Sequence, residues 1–183
     1  MRRNNKYERI NSKLLNNLIQ LEHASSTLYL AMSNYMNRLN YKGMGSWLRL
    51  QSEEERTHML KLIDYLVDRG GTVELSSLPA QPSEFGTPLE TFQKVLEHEK
   101  FVTNSYRQAF QFISQANDPQ TLVIVQDFLR EQVDEEAQAQ TIVDRLKIAQ
   151  NNPAAIFILD QELGQRKAAP AGGAPAGGAA AQG

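Results

Sequence analysis

Four long segments of the chain repeat apolar residues at three- and four-residue spacing, which is the pattern of a helix that buries one face. The 183 residues make one domain's length of chain, enough to bury a sizeable core. Four such helices predict an all-α four-helix bundle. The predicted helices span about Ser12–Leu39, Gly43–Arg69, residues 88–116 and residues 119–150.

The loop between the second and third helices sets the topology of the bundle. The second helix ends before the glycine pair at 70–71. Thr87, followed by Pro88 and by Glu90, predicts a capping box at the start of the third helix. A helix of about 28 residues spans roughly 42 Å, and the roughly 17 residues of the loop reach at most about 60 Å. Residues 71–87 can therefore cross the bundle and let the third helix run parallel to the second.

The two ends of the chain differ from its middle. A short apolar helix is predicted over residues 153–163, closed by Gly164. We expect a flexible N-terminus over residues 1–11 and the bundle over residues 12–165. Residues 166–183 are rich in Ala, Gly and Pro, cannot bury a core, and are expected to be a disordered tail.

Composition excludes several classes of function. A formal charge of −2, from 19 basic and 21 acidic residues, argues against nucleic acid and anionic membranes as partners. The chain has no cysteine, which excludes disulfides, thiolate metal sites and cysteine nucleophiles. No apolar run approaches the roughly 18–20 residues of a membrane span. The first residues lack the apolar region of a secretory signal, so we expect a cytoplasmic location, or a plastid one if a transit peptide has been removed.

The apolar face of each long helix is interrupted near its middle by polar residues. Helices packed side by side bring their midpoints together, so these side chains would converge in the core. An uncompensated cluster of buried carboxylates is costly, and two divalent or trivalent metal ions would offset that cost. The interrupting residues are Glu22 and Tyr29 on the first helix, Glu55 and His58 on the second, Glu99 on the third, and Gln132 and Glu135 on the fourth.

Each of these residues has an ordinary explanation when taken alone. A single Glu-x-x-His such as Glu55 and His58 is most often a solvated helix surface, and Tyr29 alone is most often a core residue. The shared depth on four helices favours a metal centre. Glu on two helices and Glu-x-x-His on two others is the pattern of di-iron and di-manganese bundles, although the fourth helix has Gln132 followed by Glu135 instead. Ligation rich in carboxylates with one histidine suits iron better than zinc.

Several short motifs occur along the chain in a characteristic order. They are Leu21-Glu22 with Tyr29, the run from Glu54 to Met59, Glu99, Asn117-Asp118-Pro119, and Glu131-Gln132-Val133. With these motifs, and with a long crossover and a fifth helix, the chain to about Leu163 resembles the non-haem ferritins. A carboxylate at Glu135 matches the prokaryotic branch of that family.

The resemblance implies an iron-storage protein with a ferroxidase centre inside each subunit. In this family two Fe(II) ions are oxidised by O2 or peroxide, and ferric mineral collects in a hollow shell of typically 24 identical subunits. By matching positions, Glu22, Glu55 and His58 correspond to the first iron site. Glu55, Glu99 and Glu135 correspond to the second, so that both irons share Glu55.

Further positions carry over from the same resemblance. Gln132 corresponds to a nearby amide that holds iron or the oxidant, and Tyr29 to a tyrosine that bonds to a ligand and can give an electron. Glu54, Glu131 and Asp134 correspond to a third iron site, in which Asp134 is one methylene shorter than the usual glutamate. No haem is expected, because haem-binding relatives carry Met directly after the shared glutamate, where this chain has Arg56.

Three other functions remain open at this level. The chain could be a di-iron oxidase or peroxidase that mainly removes oxidant and stores little iron. It could also be a non-catalytic shell or scaffold protein, although the complete set of ligand residues argues against that class. A DNA-protecting miniferritin is disfavoured, because the chain has a fifth helix, has no basic tail, and carries its ligands within one bundle.

Overall fold

The computed structural model describes residues 5–149 and 152–168, with side chains described from Ser12 onward. It confirms the predicted all-α bundle with a short fifth helix, and the described residues contain no strand. The helices are α1 (Asn5–Arg38), α2 (Lys42–Asp68), α3 (Pro88–Ala116), α4 (Pro119–Ala149) and α5 (Pro153–Leu163).

The first helix starts earlier than its sequence pattern indicated. α1 begins at Asn5, ahead of the predicted start near Ser12. Residues 5–11 contain neither glycine nor proline and include Lys, Glu and Arg, which favour helix, so nothing in this stretch stops the helix. Residues 1–4 of the predicted flexible N-terminus and residues 169–183 of the predicted tail lie outside the described part of the chain.

The start of α3 has the predicted capping box. The backbone N–H of Glu90 donates to Oγ1 of Thr87 at 3.2 Å, and the N–H of Thr87 donates to Oε2 of Glu90 at 2.7 Å. α4 begins in a similar way, because Asp118 accepts a hydrogen bond from the N–H of Thr121 at 3.3 Å. Such caps satisfy donors that the first turn of a helix leaves free.

The loop between α2 and α3 runs along α1, as its length predicted. Nδ2 of Asn16 donates to the carbonyl oxygen of Thr72 at 2.9 Å, and further on Arg38 donates to the carbonyl oxygen of Ser83 at 3.2 Å. These two contacts are separated by 22 residues of α1, or about 33 Å of helix. The loop therefore crosses the length of the bundle before α3 begins.

The core consists of two apolar clusters with a polar layer between them. α1 packs chiefly against α2, and α3 against α4. One cluster includes Met32, Trp47 and Phe92, and the other includes Leu62 and Ile113. Between them lie buried polar residues of the four long helices, among them Glu22, Gln51, Glu55, Glu99, Gln132 and Glu135. The predicted polar interruption at a common depth is thus a layer of buried polar side chains.

The fifth helix closes one end of the bundle against α2 and α4. Leu159 and Leu163 are buried, whereas Phe157 and Ile158 are 62% and 58% exposed. Asp160 is also buried, and its Oδ1 accepts a hydrogen bond from the backbone N–H of Met44 in the first turn of α2 at 2.8 Å. Among the described residues, no helix has both the length and the apolar character needed to cross a bilayer.

Candidate metal centre

Glu22, Glu55 and His58 form a compact buried group between α1 and α2. Each can offer one ligand atom, and these atoms all lie within 4.8 Å of one another. Glu22 and Glu55 are 1% and 2% exposed. Nδ1 of His58 lies 3.2 Å from Oε2 of Glu55, one helical turn away. The fold therefore brings together the three residues that the family resemblance assigned to a first metal site.

Glu99, Gln132 and Tyr29 form a second buried group beside the first. Nε2 of Gln132 donates to Oε2 of Glu99 at 3.0 Å, and the hydroxyl of Tyr29 donates to Oε1 of the same carboxylate. All three side chains are buried. α1, α3 and α4 thus each supply one predicted site residue to this hydrogen-bonded group.

Glu135 of α4 reaches the layer through Gln51 of α2. Nε2 of Gln51 donates to Oε2 of Glu135 at 2.8 Å and to Oε1 of Glu55 at 3.3 Å. One amide therefore contacts the carboxylates of two different helices. Of the five ligand residues predicted for two metals, the four glutamates are buried in the layer. The fifth, His58, has a side chain that is 12% exposed.

The three residues assigned to a third metal site are not brought together as a group of candidate ligands. Oε2 of Glu131 lies 3.2 Å from Nε2 of His58, and its Oε1 lies 3.7 Å from Nζ of Lys61. Glu54 is paired with Arg166, whose Nη2 lies 2.7 Å from its Oε2, and Asp134 is exposed. Within the described residues, the only group of three or more candidate ligands at metal spacing is the one formed by Glu22, Glu55 and His58.

Three residues that contact the predicted ligands or their partners were not identified as site residues from the sequence. The hydroxyl of Tyr106 donates to Oε1 of Glu22, and Tyr106 stacks on Phe128 with ring centroids 5.0 Å apart. Gln51 and Tyr106 are both buried on the inward faces of their helices. Gln51 lies one helical turn before Glu55, and this spacing could have identified it as a site residue. Arg166 lies in the predicted tail, where no sequence pattern indicated a role in the site.

Burial raises the pKa of several of these carboxyl groups. Burial, together with the charge of Glu55, raises the pKa of Glu99 to about 8. Hydrogen bonds from Tyr29 and Gln132 partly oppose this rise. Burial, with the charges of Glu54 and Glu55, raises the pKa of Glu135 to about 7. The pKa of Glu22 is raised well above its usual value for the same two reasons, burial first and the Glu55 charge second.

The carboxylate neighbours of His58 raise the pKa of its imidazole. Burial alone would lower its pKa, but its contacts with Glu131 and Glu55 outweigh burial and raise it to about 11. Burial would likewise raise the pKa of Glu55, yet the hydrogen bond and charge of His58 lower it. Both shifts favour an ion pair between His58 and Glu55.

The donor set fits iron and similar cations. Oε2 of Glu22 is buried and has no hydrogen-bond partner among the described residues, so a bound cation would satisfy an oxygen that the fold leaves unpaired. The buried donors are mainly carboxylate oxygens with one imidazole nitrogen, a combination that suits non-haem iron or manganese. Binding a dication there would displace the protons that now neutralise the layer.

Comparison with known proteins gives the family directly. A family model described as "Ferritin-like domain" matches residues 12–149. A bacterial non-heme ferritin of Bacteroides fragilis (strain 638R) is 40% identical over 152 residues, which cover 83% of this chain and 94% of that protein. A bacterial non-heme ferritin of Staphylococcus aureus (strain MRSA252) is 32% identical over 83% of this chain and 92% of its own length.

Solved structures agree with these relatives. An open pore ferritin from the hyperthermophilic archaeon Archaeoglobus fulgidus superposes with a TM-score of 0.85 at 36% identity, over 86% of this chain and 97% of that one. An engineered closed form of the Archaeoglobus fulgidus ferritin gives a TM-score of 0.84 at 37% identity, over 86% and 96% of the two chains. The family model, the curated relatives and the shared fold agree, and the chain belongs to the ferritin family, as a non-haem ferritin of the prokaryotic type.

Proposed function

We propose that this chain is a ferroxidase that stores iron: it oxidises Fe(II) at the buried centre and keeps the ferric product as mineral inside a hollow shell. The observation that carries the proposal is the group of Glu22, Glu55 and His58, with ligand atoms within 4.8 Å of one another in the core. Membership of the ferritin family supports the same reading. Iron is then both the substrate and the cargo.

The buried layer has enough donors for two Fe(II) ions. We assign Glu22, Glu55 and His58 to the first ion, and Glu55, Glu99 and Glu135 to the second. Glu55 lies between the two groups, since its Oε2 is 3.2 Å from His58 Nδ1 and its Oε1 is 3.3 Å from the amide that also bonds Glu135. Each of its two oxygens could therefore bind one ion once His58 gives up its proton and the Gln51 amide releases Oε1.

Oxidation of the pair requires one electron from each ion. Two Fe(II) become two Fe(III), and the two electrons with two protons reduce O2 to H2O2, or H2O2 to water. Glu99 and Glu135 have raised pKa values, and the protons that a metal ion displaces from their carboxyl groups are supplied to the site. The apolar clusters on either side of the layer, which include Met32 and Leu62, keep bulk water from the centre.

Tyr29 and Gln132 act on the second ion through Glu99 in this proposal. The Tyr29 hydroxyl and the Gln132 amide both donate to Glu99, which fixes the direction of that carboxylate. Tyr29 is fully buried within reach of a ligand, a position from which it can give an electron to the centre. Gln132 is placed in the role of an amide that also contacts the oxidant.

We further propose that 24 copies of the chain form the shell in the cytoplasm. Apolar side chains that a single subunit leaves exposed support association, because exposed apolar patches mark contact surfaces. Ile148 is 87% exposed, Val133 is 69% exposed, and Phe157 and Ile158 on α5 are more than half exposed.

Iron loading of metal-free protein in air tests the proposal. Two Fe(II) per subunit should be oxidised rapidly, followed by several hundred Fe(II) per shell that remain soluble with the protein. Rapid oxidation followed by precipitation would favour an oxidant-removing oxidase instead. Oxidation no faster than in buffer would exclude both enzymes and leave a non-catalytic shell.

A further inference from the structure

The guanidinium of Arg166 lies against the metal centre although it follows the end of α5. Nη2 of Arg166 donates to Oε2 of Glu54 at 2.7 Å, and Nη1 donates to Oε1 of Gln51 at 2.7 Å. Its side chain is 19% exposed, and that of Glu54 is 25% exposed. Arg166 is therefore a largely buried cation with two directed hydrogen bonds on α2.

The position of Arg166 is fixed from a second side by an aromatic ring. Its guanidinium carbon lies 4.7 Å from the ring centroid of Trp47, which is itself buried in the core. Arginine stacked on tryptophan is attracted to the ring face, and the flat guanidinium leaves its N–H groups free to donate in plane. Trp47 and Glu54 lie on the same helix, seven residues apart, so α2 presents both partners on one face.

Arg166 is connected to the two-metal layer through a single amide. Because its Nη1 binds Oε1 of Gln51, the Nε2 of that amide is directed to Glu135 at 2.8 Å and to Glu55 at 3.3 Å. The guanidinium therefore sets which way the Gln51 amide faces. One arginine thus contacts a carboxylate outside the layer and orients the donor to two carboxylates inside it.

We propose that Arg166 occupies the cation position at Glu54 and thereby limits each subunit to two tightly bound iron ions, so that a third ion must first displace an arginine. This inference rests on the proposed function, because it concerns metal binding beside the two-iron layer. Arg166 is a positioning residue in this account, and it touches neither of the two irons.

The charges around Glu54 explain why the arginine and a metal ion exclude each other. Glu54 already has its counter-ion, and a cation that took the carboxylate would leave a largely buried guanidinium without its partner. The other two residues assigned to the third site, Glu131 and Asp134, are poorly placed to bind a metal ion at Glu54. Glu131 is held by His58 and Lys61 at 3.2 and 3.7 Å, and Asp134 is exposed.

The test counts metal ions per subunit in assembled protein without oxygen, by calorimetric titration with Fe(II) alone. Wild-type protein should bind two Fe(II) tightly per subunit. Arg166→Ala should bind a third Fe(II) at least about tenfold more tightly than wild type does. This factor corresponds to the free energy of one hydrogen bond to a charged group. Lys167→Ala, which removes the same charge from an exposed neighbour, should keep the wild-type count.

Two further variants connect the third ion to Glu54 and guard against misfolding. Adding Glu54→Gln to Arg166→Ala should return the count to two. Arg166→Gln keeps a polar stem against Trp47 and should behave as Arg166→Ala does, so a poorly assembled alanine variant leaves the test intact. Equal third-ion affinity in wild type and both Arg166 variants would overturn the inference, and so would a third ion that persists without the Glu54 carboxylate.

The outcome for the proposed function is separate. If neither wild type nor any variant binds two Fe(II) tightly, the two-iron centre itself is wrong. If all bind two and only the third ion fails to respond to Arg166, the centre stands and the role of Arg166 is wrong.

Discussion

Gln51 of α2 and Glu135 of α4 are joined inside the bundle by a 2.8 Å hydrogen bond from Nε2 to Oε2. The same amide donates to Glu55, the carboxylate assigned to both irons. α2 and α4 do not form one of the main helix pairs, which are α1 with α2 and α3 with α4. The polar layer therefore contributes a contact between the two helix pairs, in addition to providing ligands.

Removing the shared carboxylate should remove rapid oxidation. In Glu55→Ala both iron sites lose a ligand, and His58 loses its partner at 3.2 Å, so we expect no fast phase when two Fe(II) per subunit are mixed with O2. Stopped-flow ferric absorbance measures this. Glu53→Ala removes an exposed carboxylate from the same helix and should oxidise iron as wild type does. Normal kinetics in Glu55→Ala would show that the site assignment is wrong.

The phenol of Tyr29 should affect turnover more than binding. Tyr29→Phe removes the hydroxyl that donates to Glu99 but keeps the buried ring. We expect both irons to bind and oxidation to be several-fold slower, on the scale of about 1 kcal/mol for a hydrogen bond. Tyr65→Phe, whose hydroxyl instead lies 2.9 Å from Thr121 Oγ1, is the matched control. Unchanged rates in Tyr29→Phe would argue against an electron-donating role.

Metal binding should release protons, and more of them at low pH. The pKa of Glu135 is raised to about 7 and that of Glu99 to about 8, so both are largely protonated at pH 6 and largely ionised by pH 9. Metal binds the ionised form, so its affinity rises with pH across this range. Because the pKa of His58 is about 11, metal binding should also release its proton at every pH from 6 to 9.

Calorimetry with Zn(II) in buffers of different ionisation enthalpy counts these protons. We expect a larger release per subunit at pH 6 than at pH 9, and a smaller release at pH 6 in Glu99→Gln. A release independent of pH would mean that the carboxyl groups of the layer are already ionised without metal.

The contact between α2 and α5 leaves no room for a side chain at Gly43. A Cβ there would lie 1.6 Å from the carbonyl oxygen of Asp160, so α5 must move in Gly43→Ala. Overpacking of this kind costs about 1–3 kcal/mol. We expect a lower melting temperature and faster proteolytic cleavage near α5. Displacing α5 should also weaken the contact of Arg166 with Glu54, because Arg166 follows that helix by three residues.

Ser46→Ala, an exposed substitution in the same turn region of α2, is the control for this change. A Gly43→Ala protein with wild-type melting and proteolysis would mean that α5 is not held against α2 at this point.

The sequence predicted the parts of this molecule that depend on local chemistry. The capping box at Thr87 and the end of α3 before Asp118 follow from residues a few positions apart, and periodicity indicated the four buried faces. The common depth of the polar residues followed from helix length alone. Glu22 and Glu99 could therefore be identified without any contact being known.

What the sequence did not predict depends on contacts between distant residues. Tyr106 bonds to Glu22 across 84 positions, and Arg166 reaches Gln51 across 115. A tyrosine on an apolar face and an arginine before a low-complexity tail have the same local pattern whether or not they reach a polar layer. The start of α1 at Asn5 was missed for a different reason, since a polar helix turn has no apolar period to detect.

The sharing of Glu55 by two irons is the central claim, and a crystal structure with bound metal tests it most directly. Crystals of metal-free protein soaked with Fe(II) without oxygen, measured at the iron absorption edge, should show two anomalous peaks per subunit in the polar layer. One should contact Glu22, Glu55 and His58, and the other Glu55, Glu99 and Glu135. A single peak, or two peaks that do not share Glu55, would contradict the account.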